Sequence, residues 1–290
     1  MSVRLGDAEG PLAVLKLYDR RGSKDLRKRE QAGFRSPEEE EDYLWNSKNE
    51  EGYVEFVESG DAAKYQKRIF DEGIQPENTA EMETLLHDYC EEFFAAETSF
   101  YSRIEPLQGR EVPRLMATVS YEIQRTENPE YQHLLSVPGI IMELIDGFPL
   151  FEIPSHIDKE HWQTVVDSAV STIDKMGAMY GVLNKAISAK ENIKVRTVQG
   201  DDGRTSYQVF FYDFAFSSTR DDFDTETEWL EAKQCQDERG AVGWVMREEL
   251  DRWQPGYYQF SYVDVSDGQF YARIRSSLKD ADEDSLTSPI

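Results

Sequence analysis

The chain has 290 residues, of which 39% are hydrophobic and 12% aromatic, enough for one large domain or two closely joined lobes. Its formal net charge is −25, because 57 acidic residues stand against 32 Lys and Arg residues. A surface this acidic repels phosphate backbones, which argues against a nucleic-acid partner. The most apolar stretch, VPGIIMELI, is too short to cross a membrane. Two cysteines without a C-x-x-C pattern indicate reduced thiols in a cytoplasmic or nuclear protein.

The first third of the chain predicts a strand, a charged insertion and a long helix. LAVLKLY at 12–18 has apolar residues on both faces and predicts a strand with Lys16 inside it. Residues 19 to about 80 contain the charge runs RRGSKDLRKRE and PEEEEDY, which predict a mostly solvated insertion with some helix. Between 81 and 104, apolar residues recur at three- and four-residue spacing, which predicts an amphipathic helix.

The rest of the chain predicts two strands, a second long helix and a β-hairpin. The strands are RLMATVSYEI at 114–123 and GIIMELI at 139–145. Residues 158–181 repeat apolar side chains with helical spacing. NIKVRTV and SYQVFFYDF then flank the turn QGDDG, which is a hairpin signal.

This order of elements predicts an α+β protein of two lobes. We expect an N-lobe over residues 1–145, a mainly helical C-lobe over 146–275 and a disordered acidic tail over 276–290.

One carboxylate lies on the apolar face of the first long helix. Glu97 comes four residues after Phe93 and four before Tyr101, so it points inward. An unpaired buried carboxylate is costly, and Lys16 in its apolar strand has the complementary problem, so the two could form an ion pair. The alternative is that Glu97 reaches solvent while Lys16 lies on an edge strand, and spacing alone leaves both open.

The open end of the hairpin brings two oxygen-bearing side chains together. Asn192 begins the first strand and Asp213 ends the second, and antiparallel pairing places these ends side by side. A carboxylate and an amide oxygen are hard ligands suited to Mg²⁺. The alternative is ordinary turn chemistry, which spacing alone favours, because Asn and Asp are common at strand ends.

Together these motifs resemble the protein-kinase-like superfamily, in that superfamily's order, over roughly residues 12–255. AVLK resembles its Lys strand, GIIMELIDG its hinge between lobes and YDFA its metal-binding motif. The phrases VLKLYDRR, PLQGREVPRL, PGIIMELIDGFPL and GVLN are similar to those of fungal kinase-like proteins that are mostly uncharacterised. The resemblance implies a bilobal kinase-like fold with a small β-rich N-lobe and a mainly helical C-lobe.

The resemblance also implies a site for ATP and Mg²⁺. It assigns nucleotide binding to Lys16, Glu97, Val14, Met142 and Glu143, and metal binding to Asp213 and Asn192. It further implies that Asp237 or Glu238 begins a buried helix of the C-lobe.

Three features depart from that family pattern. In active relatives the catalytic loop reads H-R-D or similar, and its Asp orients the acceptor hydroxyl and takes its proton. An Asn five residues after that Asp holds a second Mg²⁺. Here the triplet ends at Ala186, and counting back five from Asn192 gives Ile187, so neither register supplies a carboxylate. The residues before Lys16 are too few for a full glycine-rich hairpin, although they include Gly6 and Gly10. The stretch from Lys16 to Glu97 is also unusually long.

These departures predict a pseudokinase, which uses a degenerate ATP site for binding or regulation. The alternatives are an active phosphotransferase with an atypical catalytic loop and a fragment that folds poorly. We expect weak or absent binding of ATP and Mg²⁺, together with a protein partner that the sequence does not identify.

Overall fold

The computed structural model describes residues 2–4, 12–31, 45–188, 190–265 and 269–277. The chain divides into two compact units. The first holds Met1–Ala95 and Met116–Met142, and the second holds Ala96–Leu115 and Glu143–Ile290. Both units combine helices with short antiparallel strands, so the predicted α+β class is confirmed.

A four-stranded sheet lies in the first unit, and the strands predicted at 12–18, 114–123 and 139–145 belong to it. In spatial order the strands are β1 (Ser2–Arg4), β2 (Leu12–Leu17), β4 (Ser136–Glu143) and β3 (Leu115–Glu122). A Cβ atom at Gly139 in β4 would lie 2.7 Å from Leu17 Cδ2 and 2.8 Å from the carbonyl oxygen of Lys16. The glycine therefore allows β2 and β4 to approach closely.

The first unit also holds the helices α1 (Lys24–Gln31), α2 (Ser47–Glu58) and α3 (Asp61–Glu72) and the part of α4 (Thr79–Arg103) that ends at Ala95, while the rest of α4 belongs to the second unit. Helix α4 is the helix predicted over 81–104. Buried apolar side chains of α2 and α3 pack with Leu134 and Leu135, and the Tyr53 hydroxyl donates to the Leu134 carbonyl at 2.9 Å. This segment therefore has an interior of its own.

Most described residues of the insertion over 19–80 are exposed or half-buried and it contains helices, but two arginines of its first charged run are buried. Arg20 and Arg27 are buried, and both donate to the buried carboxylate of Glu83 in α4. Glu50 in α2 also accepts from Arg20, at 2.6 Å. A charged run looks solvated in sequence when its partners lie far along the chain, as Glu83 does. The run PEEEEDY falls outside the described residues.

Short strands and three main helices build the second unit. Its elements are β5 (Phe148–Pro149), α5 (Ile153–His156), α6 (Trp162–Tyr180), β6 (Val182–Asn184), β7 (Ile193–Gln199), β8 (Thr205–Phe211), β9 (Ser217–Thr219), α7 (Glu226–Gln236) and α8 (Glu238–Trp253). The predicted second helix is α6, whose buried stripe packs against α8. It ends at Gly181, which has a left-handed φ of 61°.

A last helix covers residues 270–277, so the tail predicted from 276 begins inside it. Residues 278–290, like Gly6 and Gly10, fall outside the described residues. Within the described part of the chain, no helix combines the length and apolar character needed to cross a membrane.

Candidate functional site

The inward orientation of Glu97 that was predicted from spacing is confirmed, because its side chain is fully buried in the second half of α4. One turn later, Tyr101 is buried as well. Burial first, and then the charges of Glu97 and Asp213, raise the pKa of the Tyr101 phenol well above its ordinary value. The carboxylates of Glu97 and Asp213 therefore both lie near enough to the Tyr101 hydroxyl to disfavour its ionisation.

The predicted hairpin is present, with β7 and β8 paired antiparallel from Ile193 opposite Phe211 to the turn. Beyond the last pair, the Tyr212 N–H donates to the Asn192 carbonyl at 3.1 Å. The backbones of Asn192 and Asp213 therefore lie at the same end of the hairpin, as the sequence predicts.

Asp213 adopts a left-handed backbone with φ of 66°, a conformation that Asp tolerates better than most residues. The next side chain, Phe214, is buried and stacks on Phe100 with ring centroids 3.7 Å apart. It also meets Tyr101 edge to face at 5.9 Å. The turn after β8 is thus fixed against the helix that carries Glu97.

A second antiparallel pair sets the position of the loop that precedes the hairpin. β6 pairs with β9 so that Asn184 lies opposite Ser217. β6 leads into the loop over 184–192, and β9 follows the turn that contains Asp213. The two strand pairs therefore bring this loop and this turn to one end of the second unit.

The loop closes on Ala186 through two asparagine side chains. The Ala186 N–H donates to Asn184 Oδ1 at 2.9 Å, and Asn192 Nδ2 donates to the Ala186 carbonyl at 2.6 Å. The Asn192 N–H also donates to the Ser188 carbonyl at 2.9 Å. Both backbone polar groups of Ala186 are satisfied locally, and its side chain is a methyl group.

A buried ion pair anchors the start of the same loop. Glu238 Oε1 accepts from the Asn184 N–H at 2.7 Å, and its other oxygen accepts from Lys233 Nζ. Lys233 also donates to the Val182 carbonyl at 3.1 Å. Burial raises the pKa of Glu238, with Lys233 and the Asn184 N–H opposing that shift. Glu238 is the first residue of α8, and Asp237 caps that helix, as the resemblance implied.

Sequence reasoning missed Lys233, although a signal was present. Lys233 in α7 follows the buried Trp229 by four residues and the buried Leu230 by three, so helical spacing places it on the buried face. A buried lysine needs a carboxylate, and Glu238 is five residues away.

The other residues assigned to nucleotide binding lie along β2 and β4. Val14 and Lys16 are half-buried in β2, and Lys16 Nζ lies 5.3 Å from the ring centroid of Tyr18. Lys16 and Glu97 belong to different compact units, so their ion pair stays a prediction. Met142 is buried in β4, and its nucleotide contact also stays a prediction.

Glu143, at the end of β4, already uses several of its polar groups within the protein. Its carboxylate accepts from Arg196 Nη2 at 3.0 Å, and its N–H donates to the Arg114 carbonyl at 2.9 Å. A nucleotide that contacted the Glu143 carboxylate or N–H would compete with these bonds.

The assignment of Asn192 and Asp213 as Mg²⁺ ligands stays a prediction. Among the described residues, no group of three or more His, Cys, Asp or Glu side chains could hold a metal ion. Asn192 and Asp213 offer two side chains with hard oxygens, and Asn192 Nδ2 already faces Ala186, which leaves Oδ1 as its ligand atom. Mg²⁺ is usually held by one or two carboxylates together with phosphates and water. A metal held by these two residues would need further ligands, such as the phosphates of a nucleotide.

No protein-family model and no curated protein sequence matches the chain. Among solved structures, the Rio2 kinase from Chaetomium thermophilum matches with a TM-score of 0.46 and 14% identity, over 100% of this chain and 70% of that one. The ADP/Mg²⁺-phosphoaspartate complex of the Rio2 kinase from the same organism matches with a TM-score of 0.44 and 14% identity, over 100% of this chain and 68% of that one. Scores this low assign neither a family nor an activity to the chain.

Proposed function

We propose that this chain is a kinase-fold protein with a degenerate nucleotide site, and that it works as a binding or regulatory module. The observation that carries the proposal is the loop over 184–192. Two asparagine side chains close it on Ala186, and the buried Glu238 anchors its start. A methyl group stands where the order of motifs calls for a catalytic carboxylate. The loop is well held, but from Asn184 to Lys190 it carries no carboxylate, and its one carboxylate is the exposed Glu191 beside Asn192.

The two lysines of the loop are poor replacements for the missing base. Lys185 and Lys190 are exposed ammonium groups, and Lys190 Nζ lies 4.6 Å from the ring centroid of Phe151. An ammonium group donates protons and carries the wrong charge to take one from an acceptor hydroxyl. General acid–base catalysis typically contributes about 10²–10⁴ in rate, so its loss is large.

Nucleotide binding can outlast catalysis in such a site. Asn192 and Asp213 would hold Mg²⁺, and the proposed Lys16–Glu97 pair would face the phosphates. Bound Mg²⁺-ATP would supply the phosphate oxygens that complete the metal's ligands. A cytoplasmic or nuclear location fits the two free thiols of Cys90 and Cys235.

The second candidate is an active phosphotransferase with an atypical loop. The retention of Asp213 favours it, because the left-handed backbone there is a conformation that functional sites often maintain. Phosphoryl transfer depends mainly on positioning and electrostatic stabilisation, so the absence of one carboxylate does not by itself abolish it.

A thermal-shift titration with ATP, with and without Mg²⁺, tests nucleotide binding. A ligand at hundredfold excess over its Kd stabilises the native state by about 2.7 kcal/mol. We expect a small Mg²⁺-dependent shift that Asp213→Asn removes. Asp201→Asn, in the exposed turn of the same hairpin, is the matched control and should leave the shift unchanged.

A phosphoryl-transfer assay separates the two candidates. We expect background rates from the unmodified chain and from Ala186→Asp alone, since the loop also carries one extra residue. Ala186→Asp combined with deletion of one residue between 187 and 191 is the better attempt at restoration. Robust turnover by the unmodified chain that Asp213→Ala abolishes would overturn the pseudokinase proposal in favour of the second candidate.

A further inference from the structure

The first unit contains a groove between α3 and α4 that is bordered by the chain joining them. Its cavity measures about 460 Å³, within the ~300–1,000 Å³ that pockets for ligands usually span. Its apolar lining consists of Ile69, Phe70, Ile74, Leu85 and Tyr89. Phe70 is 91% exposed, so most of its ring is in solvent beside this apolar lining. The α3–α4 groove therefore offers apolar surface that a bound side chain would bury.

The remaining lining of the α3–α4 groove is acidic. Asp88, Glu91 and Glu92 all line it, and none of its lining residues, which all lie in the described part of the chain, is a Lys or Arg. Asp88 accepts from Gln66 Nε2 at 2.5 Å. Burial first, and then the charges of Glu92 and Glu91, raise the pKa of Asp88 to about 6 against that hydrogen bond. A positive charge placed here would relieve the repulsion among the three carboxylates.

We propose that the α3–α4 groove docks a basic amphipathic segment of a partner protein. One bulky apolar side chain of that segment packs on Phe70, and a Lys or Arg side chain pairs with Asp88. A groove between helices usually binds a peptide through apolar anchor side chains and through peptide charges opposite to those of the groove. A second copy of this chain is a poorer occupant, because each copy carries a net charge of −25.

This docking does not depend on nucleotide or on the proposed function, and each can fail without the other. The probe is a fluorescein-labelled helical peptide, LKKLLKLLKKLLKL, titrated with the full chain at about 0.15 M ionic strength and followed by anisotropy. Two peptides serve as controls. One has Glu in place of every Lys, and the other has Ser in place of every Leu. We expect both to bind at least about tenfold more weakly, since one reverses the charge and the other removes the anchors.

Two variants separate docking in the groove from general attraction to an acidic protein. Phe70→Ala keeps every charge and alters an exposed side chain, so the fold should be unaffected while binding weakens at least about fivefold. Asp88→Asn removes one groove carboxylate and should also weaken binding. Glu58→Gln removes an equal charge from an exposed position on α2 and should change binding by less than about twofold.

Thermal melts of each variant show whether a loss of binding reflects unfolding. The proposal is overturned if Phe70→Ala binds the LKKLLKLLKKLLKL peptide as tightly as the unmodified chain does. It is equally overturned if the Ser-substituted peptide binds as well as the Leu-containing one, since the groove would then only attract cations. Absence of measurable binding to any of the three peptides also counts against it.

Discussion

Glu83 in the first compact unit and Glu238 in the second are buried carboxylates that pair with different cations. Glu83 in the first unit accepts from Arg20 and Arg27, and so joins α4 to the start of the insertion. Glu238 in the second unit accepts from Lys233 and from a backbone N–H of the loop over 184–192. The first cluster holds helices together, whereas the second holds the loop where the chemistry of a kinase would occur.

The identity of the cation determines what happens when a partner is lost. Arg keeps its proton at every pH at which proteins fold, so a stranded Arg stays charged in the interior. Glu238 can take up a proton and become neutral, and burial already raises its pKa. The Arg cluster is therefore more sensitive to the loss of one partner, and the Lys–Glu pair responds more strongly to pH.

The largest effect is expected for Glu83→Gln. This change leaves Arg20 with Glu50 and takes from Arg27 its carboxylate partner among the described residues. An uncompensated buried charge costs about 3–5 kcal/mol, and urea denaturation should show a loss of that size at every pH from about 5 to 8. Glu72→Gln, which removes an exposed pair with Arg68, is the control and should cost less than about 1 kcal/mol. A small loss of stability in Glu83→Gln would contradict the inference that the Arg cluster is the more sensitive to the loss of one partner.

Lys233→Met is expected to have a smaller and pH-dependent effect. Glu238 escapes part of the penalty by protonation, so the loss should be about 2–3 kcal/mol at pH 8. A carboxyl group whose folded pKa is raised stabilises the fold in its protonated form, and that contribution disappears as the pH rises through the folded pKa. The deficit relative to the unmodified chain should therefore shrink as the pH falls toward about 5.

The double variant Lys233→Met/Glu238→Gln checks this mechanism. Gln keeps an acceptor for the Asn184 N–H and has no charge to strand, so the double variant should recover part of the loss and show no pH trend of its own. An equal deficit at both pH values for Lys233→Met alone would show that Glu238 does not neutralise.

Local periodicity carried most of the fold prediction. The helices around Glu97 and over 158–181, the strand containing Lys16 and the hairpin over 193–212 all follow from spacing within about 25 residues. Glu97 was found in the same way, because a charge on an apolar helix face is visible in the sequence. The burial of Arg20 and Arg27 within the insertion was not predicted, because their partner Glu83 lies far away in sequence and a run of charges does not indicate such a partner.

The sequence predicted which residues make up the candidate site, but it did not predict the hydrogen bonds and the ion pair that hold them in place. The resemblance identified Ala186, Asn192 and Asp213, and antiparallel geometry predicted that the last two end up side by side. The bonds that close the loop on Ala186 involve both side chains and backbone groups, which no residue pattern specifies. The pairing of Lys233 with Glu238 required knowing that α7 and α8 are interrupted at Asp237.

A third prediction concerns the loop that the Lys–Glu pair anchors. Asn192→Ala removes the donor to the Ala186 carbonyl and leaves that acceptor without its side-chain partner. The cost should be about 1–2 kcal/mol, and native-state hydrogen exchange should show faster exchange within 184–192. Gln199→Ala, at the exposed far end of β7, is the control and should change neither. Unchanged exchange in Asn192→Ala would mean that Glu238 and the Asn184 side chain fix the loop without Asn192.

The smallest effect is expected at Asp88, and it has the opposite sign. Asp88 is a partly buried carboxylate whose partner is the amide of Gln66 instead of a cation, and burial raises its pKa from an ordinary 3.8 to about 6. The folded state therefore holds the Asp88 proton more tightly than the unfolded state does, and the stability of the fold falls as the pH rises from about 4 to about 6.

Asp88→Asn is neutral at every pH and keeps an acceptor for Gln66. After allowance for the solvent that reaches this group, the variant should be more stable by about 1 kcal/mol at pH 7.5 and no more stable below pH 4. Urea denaturation at both pH values measures this, with the exposed Asp71→Asn on α3 as the control. A gain that persists below pH 4 would trace to packing, whereas a gain confined to neutral pH identifies Asp88 as a charge that the chain keeps at a cost. That cost is the one that a basic partner in the α3–α4 groove would offset.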